Sequence, residues 1–123
     1  MYEVSIERSF SAAHNLRGYE GCCENLHGHN WRVEAVVRAE TLDHIGLAID
    51  FRALKQALDE VLGNFDHRYL NEITPFDQLN PSCENLARVI HERLAAAINN
   101  ERVCVARVRV WESEGSNATY LPS

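Results

Sequence analysis

The stretch that decides the fold runs from residue 27 to residue 39: His27-Gly28-His29, then Asn30-Trp31-Arg32-Val33-Glu34-Ala35-Val36-Val37-Arg38-Ala39. From Asn30 to Ala39, Trp31, Val33, Ala35 and Val37 recur at every second position, which is the period of a strand with one buried face. Upstream, Tyr2-Glu3-Val4-Ser5-Ile6-Glu7 alternates in the same way, Arg8 interrupts the row and Phe10 resumes it, so a first strand precedes the second. Residues 15–26, with Gly18 and Gly21 and no apolar period, read as a loop, and Glu40 to Ala48 as a turn and return.

The period changes after Asp50. Phe51, Leu54, Leu58, Val61 and Leu62 fall at helical spacing, with Asp50 as N-cap and Gly63 just past the end. A second helix is expected to begin at Asn80-Pro81-Ser82, with the proline in its first turn, and to bury Leu86, Ile90, Leu94 and Ala97 or Ile98. Val103 to Glu112 reads as a third strand, and Ala118 to Leu121 as a short fourth. The order ββααββ predicts one α+β domain over residues 1–123, a four-stranded antiparallel sheet with two helices on one face. Both outer edges of such a sheet are open in a monomer, so assembly of several copies is expected.

Composition narrows the function. The chain has 123 residues, 46% hydrophobic and 24% charged, with a formal net charge of −6. That balance argues against nucleic acid as a partner. No apolar run is long enough for a membrane span, and the first residues do not form a signal peptide, so a cytoplasmic protein is expected. Cysteines at 22, 23, 83 and 104 are then expected as thiols, with Cys104 as a core filler on the third strand.

The histidines carry the chemistry. In extended chain His27 and His29 point to one face, and His14, at the end of the first strand segment, comes alongside if the first two strands pair. Three neutral imidazoles suit Zn²⁺ and leave its fourth position free for chemistry; an isolated H-x-H is also common without a metal. His44 and His91 are expected to be solvated. Cys23, four residues before His27, is either a thiolate base or nucleophile or a fourth ligand that closes the site. Asp66-His67 is either a tuned acid–base pair or a capping pair at the end of a helix. Glu112 extends the row Cys104, Ala106, Val108, Val110. It is either a carboxylate facing a ligand donor or an exposed residue beyond the strand.

Taken together the motifs resemble a known family. Phe10-Ser11-Ala12-Ala13-His14, Cys23-Glu24-Asn25-Leu26-His27-Gly28-His29-Asn30, Ala48-Ile49-Asp50-Phe51 with Leu54-Lys55, Asp66-His67-Arg68-Tyr69-Leu70-Asn71, Asn80-Pro81-Ser82-Cys83-Glu84-Asn85-Leu86-Ala87 and Trp111-Glu112 are similar to successive blocks of the 6-pyruvoyl-tetrahydropterin synthase superfamily. Each block is weak alone; in this order they cover nearly the whole chain. The three residues between Cys23 and His27 resemble the bacterial branch that forms 6-carboxy-5,6,7,8-tetrahydropterin for queuosine and related deazapurines. The resemblance implies a tunnelling fold whose subunits join sheets into a barrel, as a trimer-based hexamer, with active sites at subunit interfaces. It implies a zinc-dependent lyase, with His14, His27 and His29 as metal ligands. The substrate would be 7,8-dihydroneopterin triphosphate, and the products 6-carboxy-5,6,7,8-tetrahydropterin, acetaldehyde and triphosphate. Cys23 would move protons, Asp66 and His67 would form the partner acid or base, Glu112 would anchor the pterin, and Ser82, Cys83 and Glu84 would line its pocket. Ser82 and Cys83 depart from the residues usual in the family. Two alternatives stand beside this reading: a pyruvoyl-forming synthase that eliminates triphosphate without cleaving a carbon–carbon bond, and a non-enzymatic protein in which Cys23 and the three histidines close a structural zinc site.

Overall fold

A computed structural model describes residues 1–21 and 25–123. Its elements are β1 (Tyr2–His14), β2 (His27–Ala39), α1 (Phe51–Leu62), β3 (Arg68–Tyr69), α2 (Cys83–Ile98), β4 (Val103–Ser113) and β5 (Ser116–Tyr120), with a 3₁₀ turn over Leu70–Glu72. The strands form one sheet in the order β3-β1-β2-β4-β5. The α+β architecture expected from the alternation is the one observed. The sheet gains a fifth strand, the two-residue β3, which runs parallel to β1 at Ala12 and Ala13. No periodicity marks so short a strand. None of the described helices is long and apolar enough to cross a membrane.

β1 and β2 pair antiparallel from Tyr2↔Ala39 to His14↔His27. Both strands are longer than their alternation suggested, because β2 begins at His27 and β1 runs on to His14. Arg8 does not end β1. It faces the helices near the rim, and its guanidinium donates twice to the Asp59 carboxylate of α1, at 2.8 and 2.6 Å. That pairing lets a charge occupy an apolar row. Both helices pack on one face of the sheet: Leu54, Leu58, Leu86, Ile90 and Leu94 meet Phe10, Trp31, Val33, Ala35, Val37 and Val108 in a single core. Asp50 caps α1 by accepting from the Arg52 N–H. Phe51, by contrast, lies half exposed outside the stripe. The second helix starts later than expected: Ser82 is its N-cap, accepting from the Asn85 N–H, and Pro81 lies before it.

Two expectations fail at β4. Its pairing with β2 shifts between Val36 and Val37, so that Arg107 faces Val36 while Val105 faces Val37. Ala106 is the extra residue of a β-bulge, and one extra residue inverts the alternation. Val103 and Val105 are buried before the bulge, Val108 and Val110 after it, and Cys104 is exposed rather than a core filler. The second correction is His91, which is buried and not solvated. Its Nε2 donates to the Val105 carbonyl at 3.0 Å, and Asn99 Oδ1 accepts from the Val105 N–H at 2.8 Å. α2 and the residue after it thus cap β4 where β5, whose pairing begins at Val108↔Tyr120, does not reach. Replacing His91 by leucine would leave that carbonyl buried and unpaired, and is expected to cost about 1–3 kcal/mol in urea unfolding. An unchanged midpoint would mean that the carbonyl has another partner.

Candidate metal centre

The β1–β2 register builds the site. His14 lies directly across from His27, and Ala12 across from His29. Since His14, His27, His29 and Trp31 all face the helices, the three imidazoles crowd together at one end of the sheet. Their ring centroids are 4.5 Å (His14–His27), 5.2 Å (His14–His29) and 4.8 Å (His27–His29) apart. Trp31, fully buried, is their floor, with ring centroids 4.8 Å from His14 and 5.1 Å from His29. Its indole N–H donates to the Ala12 carbonyl at 3.2 Å, and its ring stacks on Phe10. The role of Trp31 is hidden in the sequence, where it reads only as the first core residue of a strand.

The hydrogen bonds of the rings define their tautomers. His14 Nδ1 lies 2.7 Å from the Pro81 carbonyl, and His27 Nδ1 lies 2.7 Å from the Asn25 carbonyl. A carbonyl only accepts, so both Nδ1 atoms carry the hydrogen and both Nε2 atoms are bare lone pairs. Those two lone pairs face each other at 3.0 Å. The Nε2 of His29 is buried without a hydrogen-bond partner; Glu112 Oε1 lies 3.1 Å away and is not aligned as a hydrogen bond. One ligand atom from each of His14, His27, His29 and Glu112 lies within 4.8 Å of the others. Burial pushes His14 and His29 below the ordinary imidazole value, with Glu112 opposing the shift, and so favours the neutral, ligating form. Facing lone pairs beside a carboxylate repel unless a cation lies between them, so this donor set fits a divalent metal of the zinc type.

Asp66 and His67 lie elsewhere. They pair directly, His67 Nδ1 to Asp66 Oδ1 at 3.0 Å, although neighbours in sequence seldom face each other. The reason is His67 itself, whose φ of 59° turns the backbone into the left-handed region. Its N–H donates to the Ser11 carbonyl at 2.6 Å, and Asp66 Oδ1 accepts from the Ser11 N–H at 2.9 Å. That second bond, with His67 helping, holds the Asp66 carboxyl below the usual carboxylate range. His67 projects into solvent, 81% exposed. It borders a shallow cavity of about 460 Å³ lined also by Ser11, Ala13, Gly28, Asn30 and Arg68. Ser11, Ala13, Gly28 and Asn30 alternate with the imidazole row and face away from it, while Ala12 and His29, also in the lining, belong to that row.

The remaining predicted residues have local partners. Ser82 Oγ is used in capping, and Glu84 is exposed in the first turn of α2. The Cys83 thiol donates to the Val110 carbonyl at 2.9 Å, and burial pushes its pKa up to about 11. Cys83 is therefore expected to resist alkylation at pH 8 until the protein unfolds, as mass mapping of iodoacetamide adducts would show; rapid native labelling would contradict its burial. Cys22, Cys23 and Glu24 lie outside the described residues, and the role of Cys23 with them.

Comparison with known proteins agrees with this geometry. Residues 3–123 match the family model "6-pyruvoyl tetrahydropterin synthase". A 6-carboxy-5,6,7,8-tetrahydropterin synthase of Bacillus subtilis is 33% identical, over 98% of this chain and 86% of its own. A dihydroneopterin monophosphate aldolase of Pyrococcus furiosus is 38% identical, over 89% and 88%. The solved 6-pyruvoyl tetrahydropterin synthase of Caenorhabditis elegans superposes with a TM-score of 0.86 at 30% identity, covering 100% of this chain and 98% of that one. The converging histidines, the sheet that carries them and the match along almost the whole sequence lead to one conclusion: this chain belongs to the 6-pyruvoyl tetrahydropterin synthase family of pterin-processing enzymes.

Proposed function

We propose that this protein is a zinc-dependent carbon–carbon lyase that converts 7,8-dihydroneopterin triphosphate to 6-carboxy-5,6,7,8-tetrahydropterin, acetaldehyde and triphosphate, a cytoplasmic step toward queuosine and other 7-deazapurines. The observation that carries the reading is the pair of bare imidazole lone pairs facing each other at 3.0 Å. His14, His27 and His29 hold the ion in this reading. Once bound, zinc supplies Lewis-acid stabilisation of negative charge developing on substrate side-chain oxygens.

The other roles belong to side chains. Cys23 is the base at the side-chain carbons. His67 is the partner acid or base, its tautomer set by Asp66. Glu112 anchors the pterin by accepting from its amino and ring N–H groups, while Ser82, Cys83 and Glu84 border the ring. The hydrogen bond from Cys83 to Val110, two residues before Glu112, supports that neighbourhood. Glu112→Gln is expected to keep zinc and weaken pterin binding by tenfold or more, since an amide offers one acceptor oxygen; unchanged affinity in a pterin titration would mean the anchor is another residue.

The active unit is a homo-oligomer, trimer-based. Two observations favour it: among the described residues the outer edge of β1 is covered only from Ser11 to Ala13, by Asp66, His67 and β3, and the His67 ring projects into solvent and does not join the imidazole cluster of its own chain. A second copy would bring the pair to a neighbour's metal.

A second reading has a specific observation behind it, the 38% identity to the monophosphate aldolase. Incubating the zinc-loaded protein separately with dihydroneopterin triphosphate and monophosphate, with products identified by mass spectrometry, decides among the reactions. Acetaldehyde with a carboxypterin supports the proposal. Triphosphate release without acetaldehyde means a pyruvoyl-forming synthase, and a phosphorylated two-carbon aldehyde from the monophosphate means an aldolase.

A further inference from the structure

In the connection between α1 and α2, two asparagines pair with main chain instead of with side chains. Asn71 Oδ1 accepts from the Asn15 N–H at 3.0 Å while its Nδ2 donates to the Asn15 carbonyl at 2.9 Å. Asn80 treats Arg17 identically, accepting at 3.0 Å and donating at 2.9 Å. A carboxamide offers one acceptor and two donors in a plane, so each asparagine presents what an adjacent strand would present to residues 15 and 17. Those residues lie just past the end of β1, with Arg17 opening a turn at Gly18. Two side chains thereby hold the main chain where the ladder beyond His14 has ended.

The surroundings point toward the metal site. The Tyr69 hydroxyl donates to Asn15 Oδ1 at 2.5 Å, and Asn85 Nδ2 donates to the Asn80 carbonyl at 2.9 Å, so the clamped Asn15 and the clamping Asn80 are each held by a further bond. Pro81, next to Asn80, supplies the carbonyl that orients His14. One short segment, 80–81, thus grips the chain at His14 and again at Arg17. Among the described residues, the other tether of this segment is the Arg17 guanidinium, which donates to the Phe76 carbonyl at 2.9 Å; Arg17, Gly18, Tyr19 and Glu20 are exposed and contribute nothing to the core. The β1–β2 ladder ends at the His14↔His27 pair, so the chain just beyond it decides how firmly His14 is held opposite His27.

We propose that Asn71 and Asn80 are positioning residues of the metal centre: their carboxamides clamp the backbone at Asn15 and Arg17, fix His14 against the connection between the helices, and preform the site before the ion arrives. The inference rests on the metal reading of the three histidines and adds residues that touch neither the ion nor the substrate.

The test uses Asn71→Asp, Asn80→Asp and the double variant in the full-length protein. Aspartate keeps the shape and the acceptor but replaces the donor with an oxygen facing the main-chain carbonyl. Zinc affinity, from competition with a chromophoric chelator, is expected to fall at least tenfold in the double variant and by less in each single one. His91→Leu, which destabilises the fold at β4, is the control and is expected to keep wild-type affinity. In the metal-free proteins, amide exchange at Asn15 and Arg17 is expected to speed up at least tenfold while the β2 amides stay slow. Wild-type affinity in folded aspartate variants, or an equal loss in His91→Leu, overturns the proposal. If the double variant does not fold, the single variants decide by the same two readouts. A wild-type protein that takes up no zinc defeats the metal reading itself, and exchange at Asn15 and Arg17 then judges the clamp alone.

Discussion

Replacing His27 by alanine is expected to strip zinc from the purified protein and to slow turnover of the pterin triphosphate by about a thousandfold or more. Lewis-acid stabilisation is worth several kcal/mol, and roughly 1.4 kcal/mol is tenfold in rate. The same substitution carries a less obvious expectation for stability. The Nε2 atoms of His14 and His27 lie 3.0 Å apart, and nitrogens held this close repel when neither a metal ion nor a proton lies between them. Removing one ring removes that repulsion. Metal-free His27→Ala should therefore unfold no earlier in urea than metal-free wild type, although the zinc-loaded wild type, stabilised by ligand binding, exceeds both. Metal analysis and paired unfolding curves check the two halves independently. Zinc at full occupancy in the variant would remove His27 from the ligand set. A large loss of metal-free stability would mean the ring serves the fold and not the ion.

The second large effect belongs to Trp31→Ala. Trp31 is wholly buried, stacks on Phe10 with ring centroids 6.0 Å apart, and lies under His14 and His29. Cutting it to a methyl group leaves a cavity and frees the buried Ala12 carbonyl that the indole N–H satisfies. The expected cost is about 3–5 kcal/mol, a large share of the roughly 5–15 kcal/mol that holds a domain folded. Trp31→Phe should cost less than half as much and keep zinc, since it retains a ring beneath the imidazoles but loses the donor. Urea unfolding measures both; an alanine variant within about 1 kcal/mol of wild type would mean that the core closes over the gap and that Trp31 is not the floor described.

Much of this was legible because strand alternation is a strict code. Trp31, Val33, Ala35 and Val37 predict one buried face of β2, and the same parity carries His27 and His29 onto it. Asp50 caps its helix because a short polar side chain reaches a free N–H group, a local rule that needs no tertiary knowledge; the same rule at Ser82 starts α2 later than the expected Asn80-Pro81-Ser82. What escaped the sequence depends on contacts between distant residues. The bulge at Ala106 is one: a single unpaired residue reverses the parity of β4, so the row from Cys104 to Glu112 is broken and Cys104 faces outward. His91 is another, since its polar neighbours on α2 suggest solvent while β4 supplies both its burial and its hydrogen bond. The pairing of Asp66 with His67 follows from a left-handed backbone that a histidine adopts only because Ser11 holds it from both sides. The carbonyl of Pro81, which fixes the tautomer of His14, has no signature at all, for any residue carries a carbonyl.

The most direct test of the account is anomalous diffraction at the zinc edge from crystals of protein purified without chelator. One strong peak per chain is expected, enclosed by the Nε2 atoms of His14, His27 and His29, with a further position open to solvent or substrate. No peak at that place, or three rings turned away from one another, would contradict it.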